Sequence, residues 1–336
     1  MALDVSNKPV RVAVDVMGGD CAPQEIIKGA IQAARKDGTE VLLVGLEDVI
    51  LNEMREDDIS TPPIHVVHAS EVIREGESPV AALRHKPDAS VLVAMNLLKE
   101  GEADAVISMG ATGATIVSAI GILGKFAGIR RPVMGGFISQ FAPNTIAFDL
   151  GANVDCKPRE LMNFAVIGSV VTRKMLHISN PTVALLNNGA EEGKGNKATK
   201  EAYQLFKESK LNFIGNIESI NVLVGKANVV ICDGFMGNML LKFCEGLGDS
   251  TIAWLRTILD KRLSEEEINT ITAELFALTH TADVHGGGIV YGVNGVVLVG
   301  HGRSEAPQVI EAIRQVRQAV EVDLLPELKS ELEKLP

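Results

Sequence analysis
The chain has 336 residues, of which 46% are hydrophobic and 22% charged, a globular rather than a disordered composition. Thirty-two basic against forty-three acidic side chains give a net charge of −11, which argues against nucleic acid as a partner because that affinity comes largely from neutralised phosphates. At 4% of the chain, aromatic side chains are too sparse for a base-stacking platform.

A chain of this length can bury a core without disulfides or a structural metal. Cys21, Cys156, Cys232 and Cys244 form no C-x-x-C pair, so free thiols in a reducing cytosol are expected. The first nine residues lack the apolar core of a signal peptide. No uncharged apolar run reaches the ~18 residues of a membrane span. A soluble, cytoplasmic protein is expected.

In chain order, short β-branched runs at 10–16, 41–44, 64–68, 105–108, 133–138, 183–186, 229–232 and 296–299 read as strands. Several are apolar at nearly every position, as parallel strands covered on both faces are. Between them, 23–36 carries Ile26, Ile27, Ala30, Ile31 and Ala34 at helical spacing, and 158–178 and 197–207 read the same way. The alternation predicts an α/β fold with a largely parallel sheet. Residues 236–263 and 264–278 form a long helical stretch, the second part opened by Ser264 as N-cap before Glu265, Glu266 and Glu267. Ile252, Leu255, Ile258 and Leu259 fall on one face there, with Trp254 beside them. This stretch is expected to project or to lie at a dimer interface. The end of the chain, 305–335, reads as charged helix packing back on the body. No linker divides the chain, so 1–336 is expected to be a single two-lobed α/β catalytic domain.

Glycines gather at the strand ends: Met17-Gly-Gly-Asp20, Gly110-Ala-Thr-Gly113, Asn188-Gly189 and Asp233-Gly234. Ligands of open α/β sheets sit outside the carboxyl ends of strands, so these loops are where chemistry is expected. The familiar signatures fail. Gly189-Ala-Glu-Glu-Gly-Lys-Gly195 is one residue short of a P-loop and lacks the hydroxyl after its lysine. No G-x-G-x-x-G follows the first strand, and no G-x-S-x-G occurs. His65 and His68 lie three apart in a strand pattern and point to opposite faces. What remains is an anion site at the helix start near 197, with Lys194 and Lys197 beside its backbone N–H groups. The 108–114 and 232–238 loops repeat the arrangement. Against these, Lys194 can be a solvated lysine, Asn238 a helix cap, and Asp15 and Asp20 the holders of a glycine turn.

Longer strings carry more. They are Ala13-Val-Asp-Val-Met-Gly-Gly-Asp-Cys-Ala-Pro23, Leu150-Gly-Ala-Asn-Val-Asp-Cys-Lys-Pro158, Leu185-Leu-Asn-Asn-Gly189 with Lys194-Gly-Asn196, Gly215-Asn-Ile-Glu218, Cys232-Asp-Gly-Phe-Met-Gly-Asn238, and Gly292-Val-Asn-Gly-Val-Val297 with His301-Gly302. In these the chain resembles the PlsX family of phosphate acyltransferases, the acyl-carrier-protein:phosphate transferases of bacterial phospholipid synthesis. Two departures stand out. Ala111 replaces the family's asparagine, and Ser219-Ile220 replaces its usual turn.

The resemblance implies a homodimeric three-layer α/β/α protein, similar to isocitrate dehydrogenase-like and phosphotransacetylase-like folds. It implies transfer of a long-chain acyl group from acyl carrier protein to inorganic phosphate, with no cofactor and no metal. Peripheral membrane association and hand-over to a downstream membrane acyltransferase follow from the same likeness, with Ile252, Leu255, Ile258 and Leu259 as the apolar contact. Positioning and fixed oxyanion donors would supply the rate. Lys194 and Asn238 are the catalytic candidates. Asp15, Gly18, Gly19, Asp20, Arg84, Gly110, Thr112, Gly113, Asn188, Gly193, Gly195, Asn196, Asp233 and His301 are candidates for holding substrate or phosphate, with Lys86 a further anion contact. An acidic carrier requires a local basic patch, from Arg130-Arg131, Arg173-Lys174, Arg256 or Lys261-Arg262. The alternatives are a phosphotransacetylase-like enzyme using acyl-coenzyme A and a non-catalytic membrane scaffold for lipid synthesis.

Overall fold
A computed structural model of the chain describes residues 8–54 and 63–335. The chain divides into two compact units, Met1–Phe126 with His285–Leu325 and Ala127–Val284 with Pro326–Pro336. One crossing, Val284 to His285, runs directly into Gly286-Gly287-Gly288, so a short glycine run does mark that boundary in the sequence.

Unit one contains β1 (Arg11–Asp15), α1 (Gln24–Asp37), β2 (Glu40–Gly45), α2 (Glu47–Glu53), β3 (Ile64–His68), α3 (Pro79–His85), α4 (Ser90–Glu100), β4 (Ala105–Ser108) and α5 (Thr112–Ser118). After the residues of unit two it resumes with β10 (Gly288–Tyr291), β11 (Val296–Val299) and α12 (Ala306–Glu321). Its strands run in the order β3-β2-β1-β4-β11-β10. The first five are mutually parallel and β10 lies antiparallel to β11. Every residue of β4 and β11 is buried, as are Val12, Ala13, Val14 and Asp15 of β1. Successive side chains of a strand point to opposite faces, so burial at every position means that helices cover both. Helix α1 does its part with Ile26, Ile27, Ala30, Ile31 and Ala34 buried, and stops at Gly38 in the left-handed conformation.

Unit two holds β5 (Val133–Phe137), β6 (Ile146–Phe148), α6 (Pro158–Met175), β7 (Thr182–Leu186), α7 (Lys197–Glu208), β8 (Asn212–Ile217), α8 (Ser219–Leu223), β9 (Val229–Ile231), α9 (Gly234–Leu259), α10 (Glu265–Thr279) and α11 (Thr281–Val284). The last helix, α13 (Leu324–Glu333), falls mostly in this unit. The strand order is β5-β6-β9-β7-β8. β6, β9, β7 and β8 are parallel, and β5 is antiparallel to β6. The fold is thus α/β with largely parallel strands. Phe148 of β6 is wholly buried. The ring lies against Gly135 of β5, where any side chain would overlap it, and beside Gly168 of α6, where a side chain would overlap Val229 and crowd the ring.

Ser264 caps α10 as its position predicts. Glu267 N–H donates to Ser264 Oγ, and Ser264 N–H donates to Glu267 Oε2 at 2.9 Å. The apolar face predicted on α9 needs correction. Ile252, Leu255, Ile258 and Leu259 are only half-exposed, because three of them continue the line of Leu241, Cys244 and Gly248 that faces the protein. Gly248 touches Thr279, and Arg256 reaches Asn269 and Thr272 of α10. The side chains that α9 leaves exposed are Phe235, Met236, Met239, Phe243, Leu247 and Trp254. Periodicity finds a stripe but does not say which stripe the second helix covers.

Truncating Phe148 to alanine removes a ring that two glycines make room for. Phe148→Ala is expected to cost about 3–5 kcal/mol, read as a lower urea midpoint with the slope unchanged.

Candidate functional site
In unit one, β1, β4 and β11 are neighbouring parallel strands, so the loops that leave their carboxyl ends meet. Asp15 ends β1 with 3% exposure. Its carboxylate accepts from Ser90 Oγ at 2.6 Å, Ser108 Oγ at 2.7 Å and Met17 N–H at 3.2 Å. Burial pushes this carboxyl above the usual range, while the Ser90, Ser108, Met17 and Gly18 donors pull it back. Asp15 therefore faces inward and holds the glycine turn. A methyl group on Gly18 would lie 2.8 Å from Asp15 Oδ2 and from Gly110 Cα, so the loops after β1 and β4 touch backbone to backbone only as glycine. Asp20 is exposed and its N–H donates to the Gly302 carbonyl at 2.6 Å, which brings the third loop, with His301 half-buried, against the first.

Thr112 and Gly113 are exposed at the start of α5. Ala111 occupies the N-cap position and makes no side-chain cap, so the departure from the family string falls where an asparagine would have capped the helix. Arg84 is exposed on α3, whose Pro79 lies beside Gly113. Lys86 is taken up locally, donating to Glu77 at 2.7 Å and to the Val72 carbonyl at 2.8 Å.

In unit two, β6, β9 and β7 are neighbours, and their exits form a second set of loops. Lys194 is exposed, with its ammonium 3.8 Å from Glu191. Asn187 Nδ2 donates to the Lys194 carbonyl at 3.1 Å and pins the loop. Gly193 is exposed, and Gly195 adopts φ 96° against Asn187 and Thr199. Asn196 caps α7 by accepting from Thr199 N–H at 2.9 Å. Asn188 N–H donates to Asn187 Oδ1 at 2.9 Å. After β9, Asp233 caps α9 by accepting from Met236 N–H at 2.9 Å. The cap is therefore Asp233, and Asn238 sits a turn into the helix with its side chain exposed.

The loop after β6 supplies what motif reading gave no role. Asp149 is fully buried. Its Oδ1 accepts from the N–H groups of Gly151 at 3.0 Å and Ala152 at 2.9 Å, and Oδ2 from Asn153 Nδ2 at 2.6 Å. Burial raises this carboxyl above its ordinary range. The loop so fixed lies on the first turn of α9. Gly234 N–H donates to the Asn153 carbonyl at 2.6 Å, Gly237 passes so close to the Asp149 carbonyl that no side chain would fit, and Gly151 lies beside Asn238. The signal was present as the string around Asn153, but β6 is only three residues long and was not read as a strand. Of the further polar partners, Ser90 lies in no motif, whereas Ser108 and Asn187 stand in motif strings that assign them no role.

Burial, and then the charge of Asp149, push the Cys156 thiol up to about 12, and burial raises Cys232 as well. Both stay protonated at neutral pH and offer no thiolate. Among the described residues, no three His, Cys, Asp or Glu side chains gather as metal ligands would. Unit two can thus offer a lysine, an exposed amide and helix-start N–H groups, which suit binding and polarising an anion.

The family described as fatty acid synthesis protein matches residues 10–326. A phosphate acyltransferase of Desulforamulus reducens is 40% identical over 96% of this chain and 98% of its own length. Another, from Thermosynechococcus vestitus, is 41% identical over 93% and 92%. Among solved structures, a phosphotransacetylase from Streptococcus pyogenes aligns with TM-score 0.63 at 16% identity over 94% of this chain and 95% of its own. The EutD phosphotransacetylase from Staphylococcus aureus aligns with TM-score 0.60 at 17% identity over 95% and 96%.

Asp149→Asn leaves Asn153 Nδ2 facing another donor and is expected to cost about 1–3 kcal/mol. The pH dependence has a definite sign. A carboxyl raised above its ordinary 3.8 binds its proton more tightly folded than unfolded, so its contribution to stability falls as pH rises from 3.8 to the raised value. The advantage of the native chain over Asp149→Asn should shrink across that window and then level off, as urea unfolding at a series of pH values would record.

Proposed function
The chain belongs to the fatty acid synthesis protein family, and from that membership we propose that it moves a long-chain acyl group from an acyl carrier protein thioester to inorganic phosphate. Acyl transfer to phosphate, in the service of fatty acid and phospholipid synthesis, is the activity of the family. A phosphate oxygen attacks the thioester carbonyl, the new C–O bond forms, the C–S bond breaks, and the thiolate leaves with the proton that phosphate gives up. The products are acyl phosphate and the free carrier thiol. A thiolate is a good leaving group, so no covalent enzyme intermediate is required.

What supports the finer reading is the placement in unit two of Lys194, on the loop that leaves β7, and Asn238, near the start of the helix that follows β9, since β7 and β9 are adjacent parallel strands. Lys194 neutralises phosphate beside the α7 N-terminus. Asn238, set against the loop that Asp149 holds, donates its amide to the oxyanion. In unit one the Gly18, Gly110 and Gly302 loops, with Asp20, Thr112, Gly113, His301 and Arg84, would bear on substrate. No helix among the described residues is long and apolar enough to cross a membrane. The exposed α9 stripe is where we place the homodimer contact, with peripheral membrane association bringing product to a membrane acyltransferase.

The test mixes pure protein with palmitoyl-carrier protein, phosphate and hydroxylamine, and reads acyl hydroxamate with free carrier thiol. Phosphate-dependent appearance of both supports the reading, and product from palmitoyl-coenzyme A alone moves the donor to coenzyme A. Asn238→Ala is expected to lower kcat about 10²-fold. Lys194→Ala should raise the KM for phosphate roughly tenfold or more, the worth of one hydrogen bond to a charged group. Phe243→Glu with Leu247→Glu should yield a monomer by light scattering.

A further inference from the structure
From charge and placement we infer that Arg130, Arg131, Lys157 and Arg159 form the docking surface for the acidic carrier protein. This inference rests on the carrier donor proposed above.

The four belong to two segments that the fold lays side by side in unit two. Arg131 donates to the Val154 carbonyl at 3.4 Å, Asn153 Nδ2 to the Pro132 carbonyl at 2.8 Å, and Leu150 N–H to the Met134 carbonyl at 3.0 Å. Arg130 stands 3.9 Å from Glu160 in the first turn of α6. All four basic side chains are exposed. Val154 is 53% exposed among them and adds an apolar contact.

Of the acids on these segments and at the α9 cap, one is exposed. Asp155 is exposed, Glu160 is buried with Oε2 accepting from Lys157 N–H at 2.7 Å, and Asp233 is engaged in capping α9. Lys157 and Arg159 stand at the N-terminus of an 18-residue helix, where positive charge works against the helix dipole. An incoming anionic surface would offset that cost.

The other basic pairs stand farther along α6 and α9 or beyond α9. Arg173 is committed to Glu327 and Glu331, and Arg256 to Asn269 and Thr272. Lys261 and Arg262 stand among Asp260, Glu265, Glu266 and Glu267. On a chain of net charge −11, a cluster of like positive charge is a specific address for an acidic partner. It also borders the proposed chemistry, since the same loop runs from Val154 through Asn153 to Gly151 beside Asn238.

The test compares Arg131→Glu/Arg159→Glu with a Lys261→Glu/Arg262→Glu control, using palmitoyl-carrier protein and the uncharged thioester octanoyl-N-acetylcysteamine. The first pair should raise the KM for palmitoyl-carrier protein roughly tenfold and flatten its salt dependence, with turnover of the uncharged thioester unchanged. The control should behave as wild type. If the double reversal unfolds, Arg159→Gln alone is expected to give a smaller rise, about threefold. An unchanged carrier KM, while the wild-type KM still climbs with salt, would overturn the patch and leave the carrier reading standing. Equal loss with both thioesters would also overturn it. A wild-type enzyme that turns over only the uncharged thioester would remove the carrier reading, and the patch with it.

Discussion
Asp149 lies in the interior of unit two with its charge enclosed, and a buried carboxylate is tolerable only where donors converge on it. Three do so from one short loop: the N–H groups of Gly151 and Ala152 and the amide of Asn153. The loop cannot relax without stranding the carboxylate, and this fixes what rests on it. The Asn153 carbonyl receives Gly234 N–H, and Gly237 closes on the Asp149 carbonyl. These contacts set where α9 begins and hence where Asn238 stands. Removing the carboxylate would loosen the start of the helix as much as the loop itself.

Unit one solves the same problem with different chemistry. Asp15 also ends a central strand and is also buried, but its donors come from afar: Ser90 opens α4 and Ser108 ends β4. The carboxylate thus ties three elements where Asp149 ties one loop to one helix. Both arrangements use the strand end, where parallel topology brings several chain segments together. Both leave glycine where two backbones must touch. A strand-end aspartate in such a sequence is first a structural clasp, and the chemistry belongs to the exposed groups around it.

The strand pattern was legible where β-branched runs reached four residues, but α4 escaped although Val91, Leu92, Val93, Ala94 and Met95 make a long apolar run. The strands that escaped are short or polar. β6 has three residues, β10 four, and β8 reads Asn-Phe-Ile-Gly-Asn-Ile at the outer end of its strand order, where polar side chains are tolerated. Residues with a motif behind them, Lys194 and Asn238, were found at the level of the loop. Their settings were not, because a cap such as Asp233 and a clasp such as Asn187 depend on geometry that residue type leaves open. The misread face of α9 has the same origin. An amphipathic period gives two apolar stripes on this helix, and only the return of α10 decides which is covered.

Charge imposes a last condition on the design. A chain proposed to attract phosphate and an acidic carrier would be hindered by a uniform charge of −11. At physiological salt, fields from exposed charges fade over about 8 Å, so what a partner feels is local composition rather than net charge. The basic residues are distributed accordingly. Lys194 shares its loop with Glu191 and Glu192, the second of which is occupied by Gln204 and Lys207. Arg130, Arg131, Lys157 and Arg159 stand together around one exposed acid, Asp155. The first setting suits a small anion held by backbone N–H groups as much as by charge. The second suits a broad acidic surface, and the acidity of the remaining surface then disfavours that partner everywhere else.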